Sequence, residues 1–584
     1  MSQIYVGLVI LALFAGLVAT RNRPATLFVV AALALYLPGL ISAQQLLNHY
    51  VNLSLITLML LLMGSMALER TKALQWVSRS LFHKSQFITL LRMMGLVSVT
   101  SAFLNNTAVV ATLMQSVRKN REHPAQRLLI PLSYFAILGG VLTLIGTSTN
   151  LVVNSFLVET GHPGIGFFDF LPVGLGVLLV AGATTVVASY LLPKEKVASD
   201  ISQDYFLDAK ITADSPLAGK TVQQAGLRAL DGLFLAEIVR QGQLISPVKP
   251  ETVLQANDRL VFCGDVKQAQ QVSSLPGVTM YAHEVFNDTN GLLHDNLTEV
   301  IVSPTSTLVG RTLKQANFRA LFDAAVVAIG RGGERLSGKL GRVEIQPGDR
   351  LVLATSEDFY RHRNLERNFF LLEGKRLSPM LSGRQEIIAL AGFAGVVIGA
   401  ASGLLTLFNG LVIYLALMLG TQVISAADIR RRLPLDIWLV IGSALCIADV
   451  FMSSGLAATV TSGMFSLFGG TGADGSVSPY PALIGVFVLT WLITEIVTNN
   501  AAAAIVFPIA IGIAESLGVN IMPFVMAVAF GASASFISPF GYQTNLMVMN
   551  AGNYKFGDFT RIGVLVVIAY SVTALWLIPQ AFPW

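Results

Sequence analysis

Two short runs of amide and hydroxyl side chains interrupt apolar stretches of this chain. The first is NNTA at residues 105–108 and the second is TNNA at residues 498–501. Amides and hydroxyls both donate and accept hydrogen bonds, so such groups can serve either an anion or a cation. In a membrane, polar groups of this kind are tolerated where they line a binding site or a cavity. The duplicated motif therefore predicts one binding site built from two halves of the chain.

Each motif is followed, further along the chain, by a second interruption that begins with glycine. These are GTSTNL at residues 146–151 and GYQTNL at residues 541–546. A helix broken at such a point presents free N–H groups, which favour an anion, and free carbonyls, which favour a cation such as Na⁺. The four interruptions contain no acidic or basic residue, so a bound Na⁺ would supply the positive charge that an anionic substrate needs. The sequence predicts cation-coupled anion uptake.

The composition indicates a membrane protein. Of the 584 residues, 53% are hydrophobic and only 12% are charged, whereas a soluble protein has roughly a quarter of its residues charged. The net charge of +5 does not predict nucleic-acid binding, because the basic residues lie in short loops between apolar runs, where they set topology. Cys263 and Cys446 are far apart, which excludes a disulfide framework and a cysteine metal site.

The positions of the basic loops predict how the chain crosses the membrane. Basic residues flank the run 86–118 on both sides, so both of its arms should start on one face, as in a re-entrant hairpin. Placing all basic loops in the cytoplasm gives about 10 spans, a second hairpin at 483–513 that enters from outside, and both termini outside. The two halves, 1–193 and 385–584, then form an inverted-topology repeat, which is typical of secondary transporters. We expect a multi-pass protein of a bacterial inner membrane.

Residues 194–384 have a different character and predict a cytoplasmic α+β insert. Charged residues return, apolar residues alternate, and no run is long enough to span a bilayer. The insert repeats itself: residues 257–260 (NDRL) match residues 348–351 (GDRL), and Arg240 matches Arg331 at the same offset. Two tandem modules are predicted, at 203–280 and 291–373.

The duplicated motifs resemble the Ser-Asn-Thr signatures of the divalent anion/sodium symporter family, which includes dicarboxylate and sulfate transporters. The insert modules resemble TrkA-C domains, the C-terminal modules of regulators of K⁺ conductance. Together the two resemblances cover nearly the whole chain. They imply a homodimer with an elevator mechanism in the lipid bilayer, a small inorganic or organic anion as substrate, Na⁺ as the coupling ion, and no nucleic-acid partner.

The resemblance also implies which residues form the site. One Na⁺ would be held at the first motif by Ser101, Asn105, Asn106 and Gly146, and another at the second motif by Thr494, Thr498, Asn499 and Gly541. The substrate would contact a set shared by both halves: Asn106, Thr107, Thr147, Asn499, Asn500 and Tyr542.

The chain departs from the family pattern at several residues of the implied Na⁺ and substrate sites and directly beside them. Asn105 and Thr498 replace the two serines, Asn500 replaces the second threonine, and the bulkier Tyr542 and Gln543 follow Gly541. An amide-rich site without a guanidinium suits a compact oxyanion such as sulfate, and relatives with a TrkA-C insert are often linked to sulfate. A Na⁺/C4-dicarboxylate symporter is the alternative within the same class.

Three other classes of protein are alternatives to the symporter: a cation/proton antiporter, a K⁺ channel subunit and an enzyme. A cation/proton antiporter needs a titratable carboxylate at the helix breaks, and Glu495 is the nearby candidate, although a hydrogen-bonded structural role is the favoured interpretation of this residue. A K⁺ channel subunit would need a selectivity-filter sequence, and an enzyme would need a nucleophile–base or metal set. TrkA-C modules elsewhere sense small ligands, so a regulatory nucleotide in the insert is a hypothesis.

Overall fold

The computed structural model divides the chain into two compact units. One comprises Met1–Lys194, Pro379–Val548 and Phe556–Trp584, and the other comprises Glu195–Ser378 and Met549–Lys555. The residues that the structure describes are 2–19, 24–120, 122–194, 206–227, 230, 233–241, 243–245, 248–264, 269–280, 297–303, 306–331, 334–336, 340–355, 359–362, 364–372, 381, 383–433, 435–456, 459 and 478–584. The predicted module boundaries at 203, 291 and 373 lie outside these ranges.

The first half of the chain is helical, and its helices follow the apolar runs. The polar breaks between them coincide with caps: Asn52, for example, accepts a hydrogen bond from the Ser54 N–H at the start of a helix, which satisfies one of the free N–H groups there. The helices are α1 (Ser2–Ala19), α2 (Pro24–Tyr36), α3 (Ala43–Tyr50), α4 (Leu53–Glu69), α5 (Ala73–Ser80), α6 (Gln86–Ser101), α7 (Asn106–Lys119), α8 (Leu129–Gly140), α9 (Ser148–Glu159) and α10 (Leu171–Ala188).

The insert contains two antiparallel sheets of five strands each among the described residues. The first has β1 (Phe206–Ile211), β2 (Leu233–Arg240), β3 (Gln243–Ile245), β4 (Arg259–Gly264) and β5 (Val278–Met280), with helix α11 (Ala269–Ser273). The second has β6 (Leu297–Val302), β7 (Ala324–Arg331), β8 (Glu334–Arg335), β9 (Arg350–Thr355) and β10 (Phe369–Leu371), with helices α12 (Phe318–Phe322) and α13 (Leu365–Asn368).

The internal repeat that the sequence predicts is present in the strands of the insert. The sheets have the orders β3-β2-β4-β1-β5 and β8-β7-β9-β6-β10, which are the same order of equivalent strands. Their first strands begin at Phe206 and Leu297, a separation of 91 residues. Arg240 forms a two-pronged ion pair with Asp258, and in the second module Arg331 and Asp349 do the same.

The second half of the chain is again helical. Its helices are α14 (Arg384–Ala401), α15 (Leu407–Gly420), α16 (Ala426–Arg432), α17 (Leu435–Ser453), α18 (Pro479–Ile496), α19 (Asn499–Leu517), α20 (Met522–Ser533), α21 (Gln543–Ala551) and α22 (Phe556–Ala581). Helices α18 and α19 meet at the second motif as α6 and α7 meet at the first. Likewise, the glycine-led interruptions separate α8 from α9 and α20 from α21.

Seven helical segments among the described residues are long and apolar enough to cross a membrane. They are Ala43–Glu69, Leu171–Leu191, Arg384–Ala401, Leu435–Ser453, Pro479–Ile496, Asn499–Leu517 and Phe556–Ala581. Shorter apolar helices, including Gln86–Ser101 and Met522–Ser533, accompany them. A mostly helical membrane protein with a sheet-containing insert is therefore confirmed, and the count of about ten spans stays a prediction.

Charged contacts join the two helical halves of the first compact unit, which we call the membrane unit. His49 Nδ1 lies 3.1 Å from a Glu159 oxygen, and its Nε2 lies 3.3 Å from an Asp449 oxygen. Arg70 lies 3.2 Å from Asp428, at the end of α4 and the start of α16. Burial alone would raise the pKa of Asp428, but hydrogen bonds from Arg70 and Ser425 outweigh burial and lower it to about 2. The contacts with Asp449 and Asp428 connect segments that the sequence separates by the whole insert, whereas His49 and Glu159 both lie before it.

Close packing of α6 on α8 depends on a glycine in α8. A Cβ added to Gly139 would lie 2.6 Å from the Cα of Ser98 and would also collide with the Ser98 carbonyl oxygen. Ser98 in turn donates a hydrogen bond of 2.9 Å from its hydroxyl to the Phe135 carbonyl. This contact brings the helix that ends at the first motif against the helix that ends at the Gly146 break.

Replacing Gly139 with alanine should lower the melting temperature in detergent, because a side chain forced against backbone costs about 1–3 kcal/mol. Gly95→Ala, on α6, is the matched control, since a Cβ there meets nothing within 4 Å and alanine is the better helix former. Thermal unfolding of the two purified variants measures the difference. Equal melting temperatures for both variants would contradict the close packing.

Candidate functional site

The first motif lies where α6 ends and α7 begins. Asn105 is exposed, and its side-chain oxygen accepts a 2.8 Å hydrogen bond from the Thr107 N–H, capping α7. Asn106, the next residue, is buried. The two neighbouring amides therefore have different positions: Asn105 satisfies the helix start, and Asn106 points into the protein.

Asn106 is held at both ends of its amide group. The Ser101 hydroxyl donates to its Oδ1, and its Nδ2 donates to the Tyr542 hydroxyl at 2.8 Å. The same hydroxyl lies near the side chain of Thr147. A tyrosine from the second half thus contacts the first motif, and Thr147 of the first glycine-led break lies beside it.

Glycines allow the backbone to approach this amide closely. A Cβ on Gly146 would lie 2.5 Å from the Gly140 carbonyl oxygen, and a Cβ on Gly140 would lie 2.8 Å from Asn106 Nδ2. Asn150 Nδ2 ties the two ends of the break together through the carbonyls of Gly140 and Thr143, at 3.3 and 2.8 Å. The Oδ1 of Asn150 is buried and has no hydrogen-bond partner among the residues that the structure describes.

The second motif repeats this arrangement. Thr498 is exposed and caps α19 by accepting from the Ala501 N–H, while Asn499 is buried. The Thr494 hydroxyl contacts Asn499 Oδ1 at 2.8 Å and the Ala532 carbonyl at 2.7 Å. In both halves a buried asparagine thus accepts a hydrogen bond from a hydroxyl five residues earlier in the chain.

The second glycine-led break also resembles the first. Asn545 Nδ2 donates to the Ser535 carbonyl at 2.8 Å, as Asn150 donates to Gly140. Gly541 lies against the end of α18, since a Cβ there would lie 3.1 Å from the Thr494 carbonyl oxygen. One difference is that Ser535 stands in the position of Gly140, and its hydroxyl donates to Asn499 Oδ1 at 3.0 Å.

Further contacts bring the motif of each half to the break of the other half. Asn500 Oδ1 lies 3.2 Å from the hydroxyls of both Ser148 and Thr149. The Thr107 hydroxyl lies 3.4 Å from Gln543 Oε1. Together with the Asn106–Tyr542 contact, these hydrogen bonds join the first motif to the second break and the second motif to the first break, so each interruption contacts one from the other half.

Several residues of this region were missed by sequence reasoning. The Ser133 hydroxyl, in α8, contacts Thr544 Oγ1 at 2.7 Å and Asn545 Oδ1 at 2.6 Å. A lone serine in an apolar helix is a weak signal, because such a hydroxyl commonly bonds to its own helix. Ser148 and Thr149 lie within the first predicted break, but the sequence predicts no role for them.

Glu495 has the hydrogen-bonded structural role that the sequence favoured. Its Oε1 accepts from the N–H groups of Phe536 and Ile537 at 3.1 and 3.0 Å, and its Oε2 accepts from the Ser538 N–H at 2.8 Å. These are consecutive amides of the segment between α20 and α21. The carboxylate is therefore engaged by backbone donors.

Helix ends determine the electrostatic environment of the four interruptions. Helices α7, α9, α19 and α21 begin at Asn106, Ser148, Asn499 and Gln543, so the positive ends of four helix dipoles lie at the interruptions. Such ends attract an anion, and the carbonyl ends of the partner helices α6, α8, α18 and α20 attract a cation. The arrangement can hold an anion and cations side by side with neutral side chains.

Comparisons with known proteins agree with a membrane transport role. A family model described as citrate transporter (CitMHS) matches residues 8–477 and 461–584. A Chlamydomonas reinhardtii protein whose name refers to a sulfur deprivation response regulator is 31% identical over 583 residues, covering 94% of this chain and 97% of that protein. A Synechocystis sp. protein named as an uncharacterized transporter is 30% identical over 572 residues, covering 94% of this chain and 92% of that protein.

A third relative has a more specific name. Sodium/sulfate cotransporter 1 of Chlamydomonas reinhardtii is 29% identical over 396 residues, which cover 66% of this chain and 44% of that protein. The match therefore spans less than half of the cotransporter.

Proposed function

The chain belongs to the citrate transporter family, and on that premise we propose that it is a Na⁺-coupled symporter for sulfate or a related divalent oxyanion. It is a multi-pass membrane protein of a family of transporters rather than enzymes. The observation that carries the proposal is the pair of buried asparagines, Asn106 and Asn499, each held by a hydroxyl at a helix break.

The anion would lie between the two motifs. Helix starts at Asn106 and Asn499 contribute N–H groups, and Thr107, Thr147, Asn500 and Tyr542 contribute side-chain donors. A tetrahedral oxyanion has acceptors in every direction, so it can bond to donors from both halves at once. Helix N-termini with neutral donors are a sufficient anion site without arginine or lysine.

Na⁺ would lie beside the anion at each motif. Hydroxyl, amide and backbone carbonyl oxygens are the ligands that a hard cation prefers, and Ser101 with Asn106 and Thr494 with Asn499 bring such oxygens together. Because the Asn105 and Thr498 side chains cap helices, their contribution would come from their backbone carbonyls. The unpartnered Oδ1 of Asn150 fits a cation in the first half.

The two sites suggest how coupling would work. With no formal charge in the interruptions, an anion entering alone would face only dipoles, whereas Na⁺ at the motifs would neutralise it. Na⁺ would also draw Asn106 and Asn499 into fixed orientations and so order the helix starts that bind the anion. A site that holds both Na⁺ and the anion would then be more nearly neutral and more rigid than a site that holds the anion alone. Both differences would favour movement of the two ions together.

We further propose the finer architecture that fits this activity. The helix pairs α6–α7 and α18–α19 would be re-entrant hairpins of an inverted-topology repeat. The site would move across the bilayer by an elevator motion in a homodimer. The insert modules would be TrkA-C-like, on the cytoplasmic side, with both chain termini outside.

A second substrate class has its own support. The family description refers to citrate, a carboxylate, so a C4-dicarboxylate is the alternative anion. A proton antiporter is disfavoured, because the carboxylate of Glu495 accepts three backbone hydrogen bonds and is occupied as a structural acceptor.

Purified protein in proteoliposomes should take up radiolabelled sulfate when Na⁺ is higher outside than inside. Without the Na⁺ gradient, and with choline as the replacement cation, accumulation should disappear, because the anion would lack its balancing charge. Unlabelled succinate should compete poorly. Sulfate accumulation that does not depend on Na⁺ would refute the coupling. Preferential uptake of succinate would identify a C4-dicarboxylate, and not sulfate, as the substrate.

Asn106→Ala and Asn499→Ala should each reduce Na⁺-driven uptake by at least about tenfold, since a hydrogen bond or ligand contact to a charged group contributes about 1.5–3 kcal/mol. Asn409→Ala, an exposed amide on α15, is the matched control and should keep normal uptake. Size-exclusion profiles confirm that the variants fold. Near-normal uptake by both site variants would remove the site assignment.

Tyr542→Ala should relax selectivity toward longer anions, because the phenol fills space between Asn106 and Thr147. We expect the ratio of succinate to sulfate uptake to rise roughly tenfold, the scale of discrimination by pocket size. Tyr542→Phe keeps the ring and should keep the preference for sulfate. If the two variants discriminate alike, ring size is not what selects the anion.

A further inference from the structure

Glu495 gives the end of α18 an additional connection to the segment between α20 and α21. It stands next to Thr494 on α18, and its carboxylate accepts from the amides of Phe536, Ile537 and Ser538 at 2.8–3.1 Å. Three consecutive amides aimed at one carboxylate form a concave anion-binding nest. Here the side chain of the protein itself occupies the nest, so the role of the contact is to hold the segment in place.

The segment that Glu495 holds is flanked by Ser535 and Gly541, which both contact the region around Thr494 and Asn499. Ser535, one residue before the nest, donates to Asn499 Oδ1 through its hydroxyl and accepts from Asn545 through its carbonyl. At the other end, Gly541 packs on the last turn of α18: a Cβ there would lie 3.5 Å from the Glu495 Cα. If the nest were released, Ser535 and Gly541 would lose their common anchor.

In the first half, the segment at the glycine-led break is anchored without a charged side chain. Ala102 follows Ser101 as Glu495 follows Thr494, and a methyl group cannot accept hydrogen bonds. The anchor there runs in the opposite direction, because the Thr143 hydroxyl donates to the Ala102 carbonyl. The two breaks are therefore held by different means, one by a neutral hydroxyl and one by a carboxylate.

Resting on the proposed function, we propose that Glu495 is a positioning residue of the second Na⁺ site. By holding residues 536–538 it sets the distance from Ser535 and Gly541 to Thr494 and Asn499, and so fixes the oxygen ligands without touching the ion. The two Na⁺ sites then differ in affinity, and the second depends on this carboxylate.

The test compares Glu495→Gln with wild type in the full-length protein, by two readouts. One is the Na⁺ concentration that half-saturates sulfate uptake, and the other is the Na⁺ concentration at which the melting temperature in detergent without sulfate begins to rise, which reports the dissociation constant. Glutamine keeps the size but turns one acceptor into a donor facing amide N–H groups. We expect both concentrations to rise about tenfold, the scale of one lost charge-assisted hydrogen bond, with little change in the maximal uptake rate at saturating Na⁺.

Two further variants make the comparison specific. Glu159→Gln neutralises a membrane-unit acid that contacts His49 and should leave both Na⁺ concentrations at the wild-type value. Glu495→Asp keeps the charge on a shorter side chain and should give values between wild type and glutamine; it carries the test if Glu495→Gln does not fold.

The outcomes separate the inference from the proposed function. If wild type responds to Na⁺ and the Glu495 variants respond at the same concentrations, the positioning role is wrong and the symporter stands. A lower melting temperature with unchanged Na⁺ dependence would likewise reduce Glu495 to a stability anchor and overturn the inference. If wild type shows no Na⁺ response in either readout, the proposed coupling itself fails.

Discussion

A polar side chain buried in an apolar membrane unit must find hydrogen-bond partners, and this constraint organises the structure. Leaving such a group unpaired costs several kcal/mol in a medium without water. Asn106 and Asn499 meet the constraint in the same way, each through a hydroxyl five residues earlier on the preceding helix. This hydrogen bond joins the two helices that meet at each motif. The contact that gives the buried amide a partner therefore also holds the ends of these two helices together.

Close backbone approach is the second condition for the cluster. The carbonyl and amide ends of broken helices can reach the asparagines only where the facing residue is small. Gly140 and Gly146 meet this condition in the first half and Gly541 in the second. Ser535 takes the place of Gly140 and fills the space with a hydroxyl that bonds to Asn499. The halves are therefore equivalent in plan, while their polar contacts differ in detail.

The four interruptions themselves contain no charged side chain, and the Glu495 carboxylate lies three residues before the second motif. Ion pairs join α4 to α16 through Arg70 and Asp428, and His49 contacts carboxylates of α9 and α17. In the insert, Arg240–Asp258 and Arg331–Asp349 repeat one ion pair in two modules. The interruptions are left to dipoles and amides, whose partial charges can balance an anion and a cation without a fixed charge that would trap either.

The sequence alone determined the helical membrane halves, the positions of the four interruptions and the repeat within the insert. These features are local or periodic: apolar runs, polar breaks and a constant offset can be recognised without knowing which segments touch. Only the tertiary structure decided the roles of neighbouring residues. Asn105 caps a helix while Asn106 is buried, Tyr542 reaches across to the first motif, and Ser133 bonds to the second break. The Tyr542 and Ser133 contacts depend on how helices hundreds of residues apart pack together, and neither the residue type nor its spacing carries that information.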